Sequence, residues 1–273
     1  ELEPVDRWVL SRLARAHAEA QREFDEMRFN DYVHTLYQFF WGEYCDWYLE
    51  AIKPRLYGHG PAGDAAARVA RHVFDVLLRL FHPVMPYITE ELYHLVAPGG
   101  GFCAQAPWPE ADVGAVDEEV EARFELLFDV VRAVRNIRAE MNVPPSSEVD
   151  VMLSSEDAAA AAEELAPFFA LAHVASASPL AAGKRPAHAA AAVAGELTVF
   201  VALEGVIDFD VEMKRLKRAK EKLESDVATL GLKLSDENFL KKAPADIVAA
   251  DAERLESLQA TLARVEDNLK ALQ

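Results

Sequence analysis

The last 66 residues constrain this chain more than any other part. Met213, Leu216, Leu223, Val227 and Leu230 return on alternating three- and four-residue steps, with Lys220 filling one seam position. Pro244 and the loop around Ser235–Asn238 interrupt the pattern. Val248, Leu255, Leu258, Leu262, Val265, Leu269 and Leu272 then resume it. A repeat of about 3.5 residues keeps a narrow apolar seam on one side of a helix, so two such helices joined by a loop predict an antiparallel coiled-coil hairpin. At 1.5 Å per residue each limb would reach roughly 30–40 Å. Such a rod has no globular core of its own.

Upstream, residues 1–110 read as helices separated by breakers. Trp8, Leu13, Ala16, Ala20, Phe24 and Met27 mark a first helix, and Asn30 or Asp31 can cap a second. The second carries Val33, Leu36, Tyr37, Phe40, Tyr44, Trp47 and Tyr48 and is expected to end before Pro54. A third follows the Gly58–Gly63 loop with Val69, Val73, Val76, Leu77 and Leu80, and Pro83 and Pro86 break it. Thr89 is expected to start a short fourth helix that ends at Pro98. A long stretch over 117–142, stopped by Pro144 and Pro145, completes a helical bundle. From Glu148 the pattern changes. Val149 and Val151 alternate with polar residues, an Ala-rich helix runs from Glu156 to about Leu171, and Glu196–Leu203 is the clearest strand. The expected fold is mainly α: a helical bundle over 1–146, a small α/β module over 147–205, and a C-terminal antiparallel coiled-coil hairpin over 206–273.

Charge narrows the function. There are 28 Lys and Arg against 46 Asp and Glu, a net −18, so the surface as a whole repels polyanions and any nucleic-acid site must be local. Locality is what the hairpin supplies. Lys214, Arg215, Lys217, Arg218, Lys220 and Lys222 stand against the single acid Glu221. Lys233, Lys241 and Lys242 add charge nearer the loop. By itself a basic helix face can be a solvated coiled-coil surface; on so acidic a background it is where a phosphate backbone would settle. Arg132, Arg135 and Arg138 recur at three-residue spacing and can either track phosphates or pair with Glu125, Asp129 and Glu140.

Phe39, Phe40 and Trp41 with Tyr44, Trp47 and Tyr48 can form a base-stacking platform or a bundle core, with Phe39 and Trp41 falling off the main stripe. His72 and Asp75 suggest a surface hydrogen bond, and His82 and His94 structural roles. No Gly-rich phosphate loop, His-Glu-x-x-His pair or Gly-x-Ser-x-Gly elbow is present. Two cysteines, Cys45 and Cys103, are too few for a disulfide framework or a four-thiolate zinc site, and a reducing cytoplasm is the natural compartment. No catalytic residue, no metal site, no membrane partner and no DNA partner is expected.

Several words of the sequence resemble a known family. Asp6-Arg7-Trp8-Val9-Leu10-Ser11-Arg12-Leu13, Glu43-Tyr44-Cys45-Asp46-Trp47-Tyr48-Leu49-Glu50 and His82-Pro83-Val84-Met85-Pro86-Tyr87-Ile88-Thr89-Glu90-Glu91-Leu92 are similar to the anticodon-binding helical domain of class I aminoacyl-tRNA synthetases, and of valyl-tRNA synthetases most of all. Val134-Arg135-Asn136-Ile137-Arg138-Ala139-Glu140-Met141 has a counterpart there too. Leu203-Glu204-Gly205-Val206-Ile207-Asp208, Lys233-Leu234-Ser235-Asp236-Glu237-Asn238-Phe239 and Lys242-Ala243-Pro244 resemble the C-terminal coiled-coil arm of the valine enzymes. Isoleucine enzymes usually end in a Cys-rich zinc module, which two cysteines cannot build.

The resemblance implies a parent that activates valine with ATP and attaches it to tRNA(Val), and that is expected to be monomeric. The chain begins at Glu1, and the family's HIGH-like and KMSKS-like motifs, editing domain and first bundle helix are not in it. Cofactors are therefore expected to be none on this chain, with ATP and Mg held by the parent's other domains. The arm residues Lys214, Arg215, Lys217, Arg218, Lys222, Lys241 and Lys242 are the expected tRNA-backbone contacts, with Arg132, Arg135 and Arg138 on the bundle. The rival expectations are a helical protein–protein scaffold and a self-contained enzyme.

Overall fold

The computed structural model describes residues 2–58, 60–181, 183–236 and 244–272. It divides into two compact units, Glu1–Asp129 with Glu164–Leu171 and Val130–Glu163 with Ala172–Gln273.

The first unit is helical. Helix α1 (Pro4–Asp25) starts on a proline, whose missing N–H lies where a helix leaves donors unpaired anyway, and on a reciprocal cap between Glu3 and Asp6. Met27 lies past its end, exposed and at φ 59°, rather than on its apolar stripe. The second expected helix is three joined segments: α2 (Phe29–Tyr37), a π-helical stretch Gln38–Leu49, and α3 (Glu50–Gly58). Two details differ from the sequence reading. Asn30 and Asp31 lie inside α2, whose cap position is Arg28, and Asp31 takes the Arg28 guanidinium at 2.6 Å. Pro54 does not end the helix but sits inside α3, because one missing donor forfeits one bond while Ala51 and Ile52 are buried beside it.

The π-helical stretch also decides the aromatic run. Its i→i+5 bonding puts residues five apart on one face, so Phe39 and Tyr44 are both buried and Trp41 is left half exposed. Trp47 stacks on Phe128 at 3.9 Å, and Trp8 meets Phe128 edge-on at 5.0 Å. Phe168 closes the cluster against Trp47, Phe124 and Phe128. Buried phenols find acceptors: Tyr44 donates to the Ala70 carbonyl at 2.9 Å and Tyr48 to Asp6 Oδ1 at 2.9 Å. The run is mostly core.

Helix α4 (Pro61–Phe81) crosses α3 so closely that a Cβ on Gly63 would lie 2.6 Å from the Arg55 carbonyl. Helix α5 (Pro86–Val96) starts at Pro86 rather than at Thr89. The Thr89 hydroxyl instead donates to the Met85 carbonyl at 2.8 Å and meets His82 Nδ1 at 2.8 Å. Asp75 pairs with Arg79 at 2.6 Å, not with His72. Asp6 is fully buried and is the anchor of the unit, accepting from Arg55 at 2.8 and 3.1 Å as well as from Tyr48.

Helix α6 (Glu118–Glu140) contributes residues to both units. In the second unit a four-stranded sheet has the order β2-β1-β4-β3, formed by β1 (Val149–Ser154), β2 (Val174–Pro179), β3 (Ala189–Ala194) and β4 (Leu197–Ala202). Strand β1 pairs parallel with β2 and antiparallel with β4, and β3 is antiparallel to β4. The parallel pair needs a crossover, and α7 (Ala158–Leu165) and α8 (Phe169–Ala172) lie in that connection. Val149, Val151 and Leu153 are buried on alternate positions of β1, as the sequence alternation requires.

The hairpin follows. Helix α9 (Phe209–Ser235) is capped by Asp208, whose Oδ1 accepts from the Asp210 and Val211 N–H groups at 3.0 and 3.1 Å. Helix α10 (Ala245–Ala271) packs back along it. With 27 residues each, the limbs are about 40 Å long. Leu216, Leu269 and Leu272 are buried; Met213, Leu223, Val227, Leu230, Leu255, Leu258, Leu262 and Val265 are half-buried, the seam of a two-stranded rod. Lys220 bridges to Glu266 at 2.8 Å and Lys233 to Asp251 at 2.7 Å. The partner number falls as the residue number rises, which is antiparallel pairing.

Candidate nucleic-acid interface

The seam and the cations of α9 occupy different faces. At 3.6 residues per turn, Lys214, Lys217, Arg218 and Lys222 fall within an arc of roughly 140°, opposite the line through Leu216, Leu223, Val227 and Leu230. All four are exposed, and none has an ion-pair partner among the described residues. Glu221 is the one acid exposed between them. Four ammonium and guanidinium groups on one face of a helix can take successive phosphates, with Arg218 able to bind bidentately.

The other two bases of the cluster are engaged within the protein. Lys220, at its seam position, is held by Glu266 and by Glu224. Arg215 is held by the buried Glu212 carboxylate, one turn earlier, and donates to the Glu140 main-chain carbonyl. Its hydrogen bonds with Glu212 hold its charged form more firmly than usual, against the opposing effect of burial. The structure thus uses Arg215 to fasten the arm rather than to extend its free face. Lys241 and Lys242 lie outside the described residues.

On α6 the three arginines separate. Arg132 and Arg135 are exposed, whereas Arg138 is buried. The Arg138 guanidinium donates to the carbonyls of Ser147 and Pro144 at 2.8 and 3.1 Å, with longer bonds to His173 and Pro145. It organises the turn after α6, and burial lowers its basicity. Three-residue spacing drifts around a helix by 60° per step, so the third arginine has rotated off the solvent face. Of the two aromatics expected off the core stripe, Phe39 is buried and Trp41 is exposed beside Tyr37, with ring centroids 6.5 Å apart.

Sequence reasoning missed the role of Glu140. Its side chain accepts from Asn268 at 3.1 Å and faces Arg264 at 3.7 Å, while its carbonyl takes Arg215. One residue at the end of α6 therefore holds both limbs of the arm. No local spacing marks such a residue, because its partners are over 70 positions away. Among the described residues no group of three or more His, Cys, Asp and Glu side chains could hold a metal ion, and no helix is long and apolar enough to cross a membrane.

Two family profiles match the chain. The anticodon-binding domain of tRNA ligase matches residues 6–153, and the valyl tRNA synthetase tRNA binding arm matches residues 208–273. Relatives include the valine–tRNA ligase of Thermotoga maritima, 37% identical over 272 residues covering 100% of this chain and 31% of the relative. That of Syntrophotalea carbinolica is 36% identical over 285 residues, covering 100% and 31%. That of Geobacter sulfurreducens is 39% identical over 267 residues, covering 93% and 29%. The chain thus spans about 30% of the length of the curated relatives it matches. The cationic face of α9 lies inside the segment matched as an arm, and helices α1 to α6 lie almost wholly inside the segment matched as an anticodon-binding domain. The chain belongs to the anticodon-binding domain family of tRNA ligases.

Proposed function

We propose that this chain is the C-terminal tRNA-binding region of a valine–tRNA ligase. Its bundle meets the anticodon stem and loop of tRNA(Val), and its arm holds the outer corner of the molecule. The observation that carries the reading is the row Lys214, Lys217, Arg218 and Lys222, without an ion-pair partner among the described residues and turned away from the seam in a chain of net charge −18. The exposed Arg132 and Arg135 are the bundle contacts, and Lys241 and Lys242, outside the described residues, are further backbone contacts of the arm. The proposed functional division is a bundle over 1–146, a module over 147–205 and an arm over 206–273.

The contribution to catalysis is positioning. Binding energy from parts of a substrate that do not react orients the acceptor end toward a distant site and can raise turnover there. Valine activation with ATP and Mg belongs to domains outside this chain, and the parent acts as a monomer in the cytoplasm.

The test is salt-titrated binding of tRNA(Val) to the chain and to a Lys217→Glu/Arg218→Glu variant. Each phosphate contact contributes about 0.7–0.9 to the slope of log affinity against log salt, so the variant should bind more weakly with a slope lower by about 1–2. An unchanged slope rejects the arm as the phosphate grip. Cognate and noncognate tRNA compared in the same assay separate base reading by the bundle from a generic clamp.

A further inference from the structure

The α/β module contains eight acids and only two bases between residues 147 and 205, and those two bases, Lys184 and Arg185, are adjacent. Both lie on the loop between β2 and β3, both are exposed, and neither has an ion-pair partner among the described residues. The loop is tied at each end. The Leu180 N–H donates to the Leu153 carbonyl at 2.7 Å, and the His188 carbonyl accepts from the Leu203 N–H at 3.0 Å. Between these ties the chain turns at Gly183, φ +77°, with the Lys184 N–H donating to the Ala181 carbonyl at 3.2 Å. Pro186 fixes the backbone directly after the pair. The His188 ring lies 5.0 Å from the ring of Phe209, the first residue of α9. The loop is therefore anchored at the root of the arm.

We propose that Lys184 and Arg185 form a second RNA-phosphate contact at the base of the arm, adding to the row on α9. The inference rests on the reading of that row as a phosphate grip. Two like charges side by side repel each other, and with eight acids in the module a purely structural role would have paired them. An anionic partner stabilises both at once, and the partner that already meets α9 presents phosphates continuously. An ammonium next to a guanidinium suits backbone contact, which carries no sequence information, rather than reading of base edges.

The test compares three proteins in salt-titrated binding of tRNA(Val): the chain itself, Lys184→Glu/Arg185→Glu, and Lys217→Glu/Arg218→Glu. The loop variant should bind about ten-fold more weakly near 0.1 M salt, with a slope lower by about 1–2. Lys184→Gln/Arg185→Gln, which removes charge without reversing it, should fall between the two and guards against misfolding of the reversed form. Lys184 should also become protected from amine acetylation when tRNA is bound. If the α9 variant loses affinity while both loop variants bind as the parent does, the loop contact is wrong and the arm reading stands. If the unmodified chain shows no salt-dependent binding, the arm reading falls and takes this contact with it.

Discussion

The guanidinium of Arg215 on the first limb of the arm donates to the main-chain carbonyl of Glu140 at 2.5 Å, while the Glu140 carboxylate receives Asn268 from the second limb at 3.1 Å. The end of α6 is thus gripped by both limbs. Arg215→Ala should loosen the root by about 1–3 kcal/mol, because it removes a partly exposed guanidinium and leaves the buried Glu212 carboxylate without that partner. Amide exchange over 209–216 should quicken several-fold. The salt slope of tRNA binding should change less than in Lys217→Glu/Arg218→Glu. A full loss of slope on Arg215→Ala would place that guanidinium on the RNA instead.

Lys220 occupies a seam position and is bridged to Glu266 at 2.8 Å, with both side chains about a third exposed. An ion pair this open contributes little, less than an apolar side chain gains in a seam. Lys220→Leu should stabilise the hairpin, read as several-fold slower amide exchange along α9 and α10. It should leave tRNA affinity nearly unchanged, because the ammonium is already committed to the protein.

Asp6 is fully buried against Arg55, whose side chain is 12% exposed. Removing one member of such a pair strands the other charge, at a cost of about 3–5 kcal/mol. Asp6→Ala should lower the stability of the first unit by that amount in chemical denaturation, and Asp6→Asn, which still accepts from Tyr48, by less. Equal losses would mean that the lost charge accounts for the whole effect and that the acceptor kept for Tyr48 adds nothing.

His17 is buried on α1 beside the Pro109 main chain and near Arg79, and burial lowers its pKa from the ordinary 6.5. The unfolded chain therefore binds the proton first. Stability is full above about pH 6.5 and is lost as the pH falls through the lowered folded value. Thermal melts from pH 7.5 to 5 should show a steeper decline for the parent chain than for His17→Gln. Parallel curves would remove His17 as a source of acid sensitivity.

Particular residues show which parts of the fold were legible in the sequence. The seam leucines were, because a rod has one apolar face and the repeat writes it directly along the chain. The alternation at Val149 and Val151 was legible for the same reason. Phe39 was not: its burial depends on a π-helical stretch whose five-residue spacing defeats a reading at 3.6. Pro54 and Thr89 misled as boundaries because tertiary burial and a proline at the first turn outweigh local signals. At the candidate site, the position of the cationic cluster could be read, but the division of labour within it could not. Lys217 and Arg215 look alike in charge, Glu212 stands one turn before Arg215, and only the fold brings Glu140 to it.

The cations that face outward on α9 share no side chain with the seam that makes the rod. Substitution can therefore strengthen or weaken the hold on a polyanion without altering whether the lever exists or how far it extends. Grip and reach are separately adjustable in this architecture, so lineages can retune one under a change of salt or temperature while leaving the other as it was.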